Sequence, residues 1–231
     1  MAEEAAGESD KRIRLFCKEF GILSVYAKGA RRATSKFLAV SQMFTYGDYV
    51  LMDGGSFFSL NQGEILENFY PIRQDYEKLQ AAQYILCICT KIIPAGFTQS
   101  SEFDEILRLV IKSLQYVSGA DSAPFVQQTL QVFMFRFFAL NGIAPEMDKC
   151  CLCGVEFPQI QEKWLFCGEG LLCADCQSKG RKTLKISNAT RFAICHILQS
   201  DLNGAFLFNV NVEILAELTA AAVFYEEFYY R

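Results

Sequence analysis

Between Ile13 and Tyr70, apolar and polar residues alternate over stretches of four to six positions, and turn-forming residues recur about every ten. The successive runs are IRLFC, ILSVYA after Gly21, FLAVSQM, DYVLMD, SFFSLN after Gly54-Gly55, and EILENFY. Period-two alternation of this length puts one face of each run against a core, so a small antiparallel sheet or barrel is predicted. Pro71 closes the region.

From Tyr76 the period becomes helical. In EKLQAAQYILCICTKII, the residues Leu79, Ala82, Leu86, Cys89 and Ile93 follow the three-four spacing of one buried face, and Pro94 and Gly96 are expected to end the helix. A second helix is expected after an N-cap at Ser101, with Asp104 three residues on, Phe103, Ile106, Leu107, Val110, Leu114 and Val117 on one side, and Gly119 as its stop. A third, from about Pro124 to Leu140, is apolar on most faces and holds one charge, Arg136, which predicts a central buried helix ended by Asn141-Gly142. Residues 146 to 180 lose the period and contain six cysteines. Helical spacing returns from Ser187, through Phe192, Cys195 and Leu198, and again from Val212 to Tyr230. The cysteine segment therefore reads as an insertion in a helical domain.

The 231 residues are 52% hydrophobic, enough for a core, which excludes disorder for most of the chain. The formal net charge of -4 argues against an anionic partner until the charges are located. Residues 1 to 10 hold four acids and no base, whereas residues 11 to 36 hold eight bases against the single acid Glu19, a net of +7. Such asymmetry points to a localised anionic partner. MAEEAAGESD lacks the features of a secretory signal, and apolar runs are interrupted by charges before reaching membrane-spanning length. The protein is expected to be soluble and cytoplasmic, with no membrane partner.

In a reducing compartment ten cysteines suggest metal binding before disulfides. Cys150-Cys151-Leu152-Cys153-Gly154 and Cys173-Ala174-Asp175-Cys176 are two C-x-x-C elements separated by 19 residues, within the spacing of a four-thiolate zinc site. Two residues between thiolates let one tight turn aim both sulfurs at a single ion, and an intervening hairpin can deliver the second pair. One structural Zn²⁺ on Cys150, Cys153, Cys173 and Cys176 is the expected cofactor. Cys151 could compete with Cys150. Cys167 reads as a core thiol of the hairpin Trp164-Leu165-Phe166, and Cys17, Cys87, Cys89 and Cys195 read as small apolar residues.

His196 is the single histidine, which excludes a Cys-Cys-His-His finger and leaves little for a catalytic set. The zinc-deaminase H-x-E element and the phosphate-binding glycine loop are both absent from the sequence. No enzymatic activity is expected. Lys28, Arg31, Arg32 and Lys36 lie in YAKGARRATSK between two predicted strands, among small residues, and Arg12, Arg14 and Lys18 could extend the same face. Clustered cations on a barrel loop bind phosphates with salt-dependent affinity, which suits single-stranded nucleic acid. A second run, Lys179, Arg181, Lys182 and Lys185, reads equally well as an offset to the thiolate site.

Together, the K-G-A-R-R element in a small β domain, the helical domain and the paired C-x-x-C insertion resemble the RecO family, bacterial recombination mediators of the RecF pathway. The matching stretches are ESDKRIRLFCKEFGILSVYAKGARRATSKF, SFFSLNQGEILENFYPIRQDYEKLQAAQYI, FMFRFFALNGIAPEMDKCCLCG and GEGLLCADC. The resemblance implies an α+β chain: an OB-fold barrel over 1–75, a helical domain in two parts over 76–145 and 183–231, and a zinc ribbon-like insertion over 146–182. It implies binding of single- and double-stranded DNA, annealing of complementary strands, and contact with the single-strand-binding protein SSB. Together with RecR, it implies promotion of RecA loading on SSB-coated strands in the repair of breaks and gaps, and hence association with the nucleoid. By position, Cys150, Cys153, Cys173 and Cys176 match the zinc cysteines, Lys28, Arg31, Arg32 and Lys36 the basic loop, and Arg136 a helix arginine that could meet the acidic SSB tail. Family members usually carry an apolar strand before the E-S-D element, where this chain has only MAEEAAG. The first barrel strand is therefore expected to be missing or replaced, leaving an edge in need of cover. Two alternatives remain open at this point: a zinc ribbon module of RNA or transcription complexes, and thiol redox chemistry at Cys173 and Cys176.

Overall fold

The computed structural model describes residues 2–18, 20–55, 57–93, 102–157, 163–177 and 181–230. The chain divides into two compact units, residues 1–120 and 121–231. The positions Pro94, Gly96, Ser101 and Lys179 named above lie outside the described residues.

In the first unit five strands form one sheet: β1 (Ala2–Ala6), β2 (Asp10–Cys17), β3 (Gly21–Ala27), β4 (Tyr46–Asp53) and β5 (Phe58–Glu67). Their order is β1-β2-β3-β5-β4, antiparallel except for β3 with β5. This is the strand order of an OB-fold, and among the described residues β1 and β4 are not paired, so the barrel is open there. Of the two outcomes expected for the first strand, missing or replaced, the structure has the second, and the edge is left open as expected. Ala2 to Ala6 pair with Arg14 to Asp10, because a backbone ladder needs no apolar side chains. The strand is short, polar and half-exposed, so its composition carries no strand signal.

Alternation holds inside the barrel. Ile13 and Leu15 of β2, Leu23, Val25 and Ala27 of β3, Leu51 of β4 and Leu60 of β5 share one core. FLAVSQM, expected as a strand, is instead a set of turns, with Ser41 N donating to Phe37 O and Gln42 N to Ala39 O. Phe37, Val40 and Phe44 are buried at helical spacing. Phe37 and Val40 pack into the same core. A nearly continuous apolar run satisfies both periods, and the need to plug the barrel selects the helical one. SFFSLN and EILENFY, read as two strands, are largely merged in the single strand β5.

Two helices complete this unit, α1 (Tyr76–Ile92) and α2 (Glu102–Gly119). Asp75 caps α1, its carboxylate accepting from Lys78 N at 3.0 Å. The predicted faces are inward: Ala82, Leu86, Cys89 and Ile93 on the first, Phe103, Ile106, Val110, Leu114 and Val117 on the second. No helix among the described residues is long and apolar enough to cross a membrane.

The second unit is built around α3 (Ala123–Leu140), which buries Val132, Phe133, Met134, Phe135, Phe137 and Phe138. It ends at Asn141, as expected, where Ile143 N returns to Phe138 O. Strands β6 (Lys163–Cys167), β7 (Gly170–Leu172) and β8 (Leu184–Ser187) form a sheet in the order β7-β6-β8, with a single turn α4 (Ala174–Gln177) after β7. Helices α5 (Asn188–Gln199) and α6 (Val212–Tyr230) close the unit. Ser187 caps α5, accepting from Thr190 N at 3.2 Å. The face expected for α5 is corrected: Phe192 is exposed and Cys195 and Leu198 half-buried, while Thr190, Arg191, Ala193, Ile194 and Ile197 point inward. Two polar residues face in because each has partners there. Thr190 donates to the Glu217 carboxylate and Arg191 to the Met147 carbonyl.

Candidate metal centre and nucleic-acid interface

The two C-x-x-C turns meet. The backbones of Lys149 and Glu156 pair antiparallel across the first, Cys150 N donates to Val155 O at 2.8 Å, and Gly154 N returns to Cys150 O at 2.9 Å. Gly154 sits at φ +74°, a conformation that only glycine adopts without strain. The second turn leaves β7, with Cys176 N donating to Cys173 O at 3.1 Å. The hairpin β6-β7 carries it to the first, where Cys151 N donates to Leu171 O at 3.0 Å.

The sulfurs of Cys150, Cys153, Cys173 and Cys176 all lie within 4.8 Å of one another, and those of Cys153 and Cys173 are 3.7 Å apart. Four sulfurs around one tetrahedral ion at ordinary zinc-thiolate lengths would be about 3.8 Å apart. The set therefore fits a closed four-thiolate metal site. Burial pushes the Cys150 thiol up, but the N–H groups of Cys153, Cys173 and Leu152 and the Cys153 thiol together outweigh it and bring it down to about 6. Its hydrogen bond with Cys173, followed by burial, pushes the Cys176 thiol up to about 12.

Cys151 does not join this set. Its sulfur faces Cys167 at 3.5 Å, and burial together with that contact raises its thiol to about 12. Cys167 is a buried thiol of β6, as read from the sequence. His196 is engaged in the fold, Nε2 against Gly204 O at 3.0 Å and Nδ1 against Ser200 Oγ at 3.3 Å. Of the second basic run, Arg181 pairs with Glu169 and Lys182 lies 3.7 Å from Glu227. Arg136 is half-buried on α3 and donates to Leu198 O at 3.1 Å. Burial lowers its pKa, and the Asp201 charge opposes that shift.

The first basic loop is built differently. Gly29, at φ +69°, turns the chain so that Ala30 is wholly buried while Lys28, Arg31 and Arg32 remain exposed. Asp10 Oδ1 accepts from Gly29 N at 2.7 Å, and Arg31 N donates to Ser9 O at 2.9 Å. The Arg31 guanidinium reaches Gly7 O at 3.0 Å, and Lys36 Nζ reaches Asn61 O at 3.0 Å. K-G-A-R-R is thus a turn anchored by its alanine and its backbone, with its cations at the surface. Arg12 and Arg14 are exposed on the outer side of β2, opposite the core-facing Ile13.

Arg191 was missed in the sequence, because an arginine inside a helix reads as solvated. It is 8% exposed, with Nε on Met147 O at 3.0 Å and its guanidinium 4.7 Å from the Trp164 ring centroid. It ties the start of the cysteine segment to α5. Arg191→Ala is expected to destabilise residues 121–231 by about 2 kcal/mol, from a charged hydrogen bond and a buried cation-ring contact. Trp164 is the single tryptophan of the chain, so its fluorescence during urea unfolding reports this loss directly.

An open OB-fold sheet with a cationic rim and a helical unit carrying a four-sulfur cluster define the class: a nucleic-acid-type β module joined to a metal-competent helical domain. Residues 1–69 match the family described as Recombination protein O N terminal, and residues 73–230 match Recombination protein O C terminal. The chain is 33% identical over 219 residues to the DNA repair protein RecO of Acetivibrio thermocellus, covering 94% of this chain and 84% of that one. It is 29% identical to the DNA repair protein RecO of Alkaliphilus metalliredigens, covering 89% and 80%, and 28% identical to that of Clostridium novyi, covering 91% and 79%. The chain belongs to the RecO family of DNA repair proteins.

Proposed function

We propose that this protein is a DNA-binding recombination mediator with no catalytic step of its own. Residues 1–75 bind single- and double-stranded DNA through Lys28, Arg31, Arg32 and Lys36, with Arg12 and Arg14 beside them. Residues 76–145 and 183–231 supply the helices, divided between the two units, and residues 146–182 the metal-binding insertion. The observation that carries the reading is the K-G-A-R-R turn, whose buried alanine and Asp10 anchor hold exposed cations on an OB-fold sheet. Fixed cations on such a sheet neutralise phosphates without reading sequence, as pairing two arbitrary complementary strands requires.

Zinc is the metal proposed for Cys150, Cys153, Cys173 and Cys176, since four thiolates suit that ion in a closed structural site. When bound it supplies a cross-link between the two turns. Protein partners are RecR, the acidic SSB tail at Arg136, and RecA indirectly, in the cytoplasm at the nucleoid. The test is pairing of SSB-coated complementary strands. Addition of the chain is expected to accelerate annealing, and RecR with it to speed RecA assembly on an SSB-coated strand. No acceleration of annealing would overturn the mediator reading.

A further inference from the structure

Pairing across the sheet places residues far apart in sequence in one row. From edge to edge it runs Glu4, Arg12, Tyr26, Ser59, Met52, each paired with the next. Paired residues project on the same side of a sheet. Their strand neighbours Ile13, Val25, Phe58, Leu60 and Leu51 belong to the barrel core, so this row faces out.

At the centre of the row two aromatic rings meet. Phe57, at the entry to β5, lies with its centroid 5.8 Å from that of Tyr26, the planes inclined by 54°. The Arg12 guanidinium carbon lies 5.8 Å from the same Tyr26 ring. Phe57 and Met52 are each 57% exposed, as their place on the outward face requires. In the next row Arg14 stands opposite Ser24, and Lys28 follows Tyr26 by two residues, just beyond the end of β3. Glu4, at the β1 end, is the one carboxylate in the row.

We infer that Tyr26 and Phe57 form a stacking platform for the bases of single-stranded DNA, with Arg12, Arg14 and Lys28 holding the phosphates on either side. The inference rests on the DNA-binding reading above and adds to it the face used and the strand form selected. Aromatic faces interleaved with cations match a ligand that alternates flat rings with negative charges. A duplex keeps its base faces stacked internally and offers only its phosphates, whereas an unpaired strand offers both. The face between β2 and β3 is also the one on which OB-folds carry oligonucleotides.

The test is binding of the full chain to an oligo-dT strand, to a duplex of the same length and to an abasic strand of the same length, each over a salt series. Phe57→Ala is expected to weaken oligo-dT binding about tenfold or more, while leaving duplex and abasic binding and every salt slope unchanged, because stacking releases no counterions. Tyr26→Ala is expected to act in the same direction. Phe57→Trp should keep the affinity and add a fluorescence signal that oligo-dT quenches and the abasic strand does not. Equal loss on all three ligands, no loss on oligo-dT, or tighter Phe57-dependent binding of oligo-U than of oligo-dT would overturn the platform. Failure of the parent reading looks different: wild-type protein that binds none of the three ligands, or a Lys28, Arg31 and Arg32 triple alanine variant with an unchanged salt slope.

Discussion

Cys173→Ser is expected to lower metal affinity by more than about 100-fold, beyond the 10- to 100-fold that losing an outer hydrogen-bonding partner of a metal ligand typically causes. Cys173 is joined to three members of the cluster: its sulfur faces Cys153, its N–H points at the Cys150 sulfur, and its carbonyl caps the turn that carries Cys176. Loss of the metal removes a link between the two turns and leaves them joined by the Cys151 N to Leu171 O bond and by the packing of Cys150 with Leu172 and Cys176. With free ion at a thousand times its dissociation constant, chelation withdraws about 4 kcal/mol, which lowers the midpoint of the second unit by roughly 15 °C. Thermal melts followed by Trp164 fluorescence, with and without chelator, measure this in wild type and variant. Cys151→Ser should leave the metal content at one ion, since that sulfur faces Cys167. The pH dependence has a definite sign. The Cys176 thiol, held up by its hydrogen bond with Cys173 and by burial, must give up its proton on loading, whereas the Cys150 thiol, brought down by the N–H groups around it, does so more readily. Metal uptake therefore releases protons, and affinity falls as the solution is acidified. A thiol titration that finds Cys173 and Cys176 reactive in the metal-loaded protein would contradict the closed site.

The second large effect is on DNA. The triple variant Lys28→Ala, Arg31→Ala, Arg32→Ala is expected to reduce the salt slope of single-strand binding by about 2, at roughly 0.7 for each phosphate no longer neutralised. At 0.1 M salt this corresponds to about two orders of magnitude in affinity. The fold should survive, because Ala30, Asp10 on Gly29 N and Arg31 N on Ser9 O still hold the turn, and only the exposed bond from the Arg31 guanidinium to Gly7 O is lost. Anisotropy titrations over a salt series give slope and affinity together. An unchanged slope would remove the basic turn from the interface. A weakening confined to single strands would also contradict the assigned role, because cations that neutralise phosphates serve both forms of DNA.

The helices were legible because their apolar residues repeat at one period over many turns. In α1 and α2 the inward residues are nearly those the spacing names, and α3 ends at its Asn-Gly. The four sulfurs were legible for a similar reason: a C-x-x-C pair is a local turn whose geometry hardly depends on its surroundings. Errors fell where a short segment took its shape from distant contacts. FLAVSQM fits strand and helix periods alike, and the barrel core settled it by burying Phe37 and Val40. Ala2–Ala6 has no pattern of its own and became a strand because Asp10–Cys17 offered it an edge. On α5 the inward arginine could not be read, since its partner is the Met147 carbonyl, 44 residues earlier.

By itself, then, the sequence determined the α+β order, the buried faces of α1, α2 and α3, the cysteine spacing and the confined positive charge, all of which depend on residues within a few positions of one another. Only the tertiary structure decided the open edge of the barrel, the separation of Cys151 from the sulfur cluster, and the outward row of Arg12, Tyr26, Ser59 and Met52 with Phe57 beside it. Each of these depends on strand register, and a shift of one residue would turn every side chain of the row into the core. Register is set by pairing from strand to strand across the whole sheet, and no single segment of the chain encodes it.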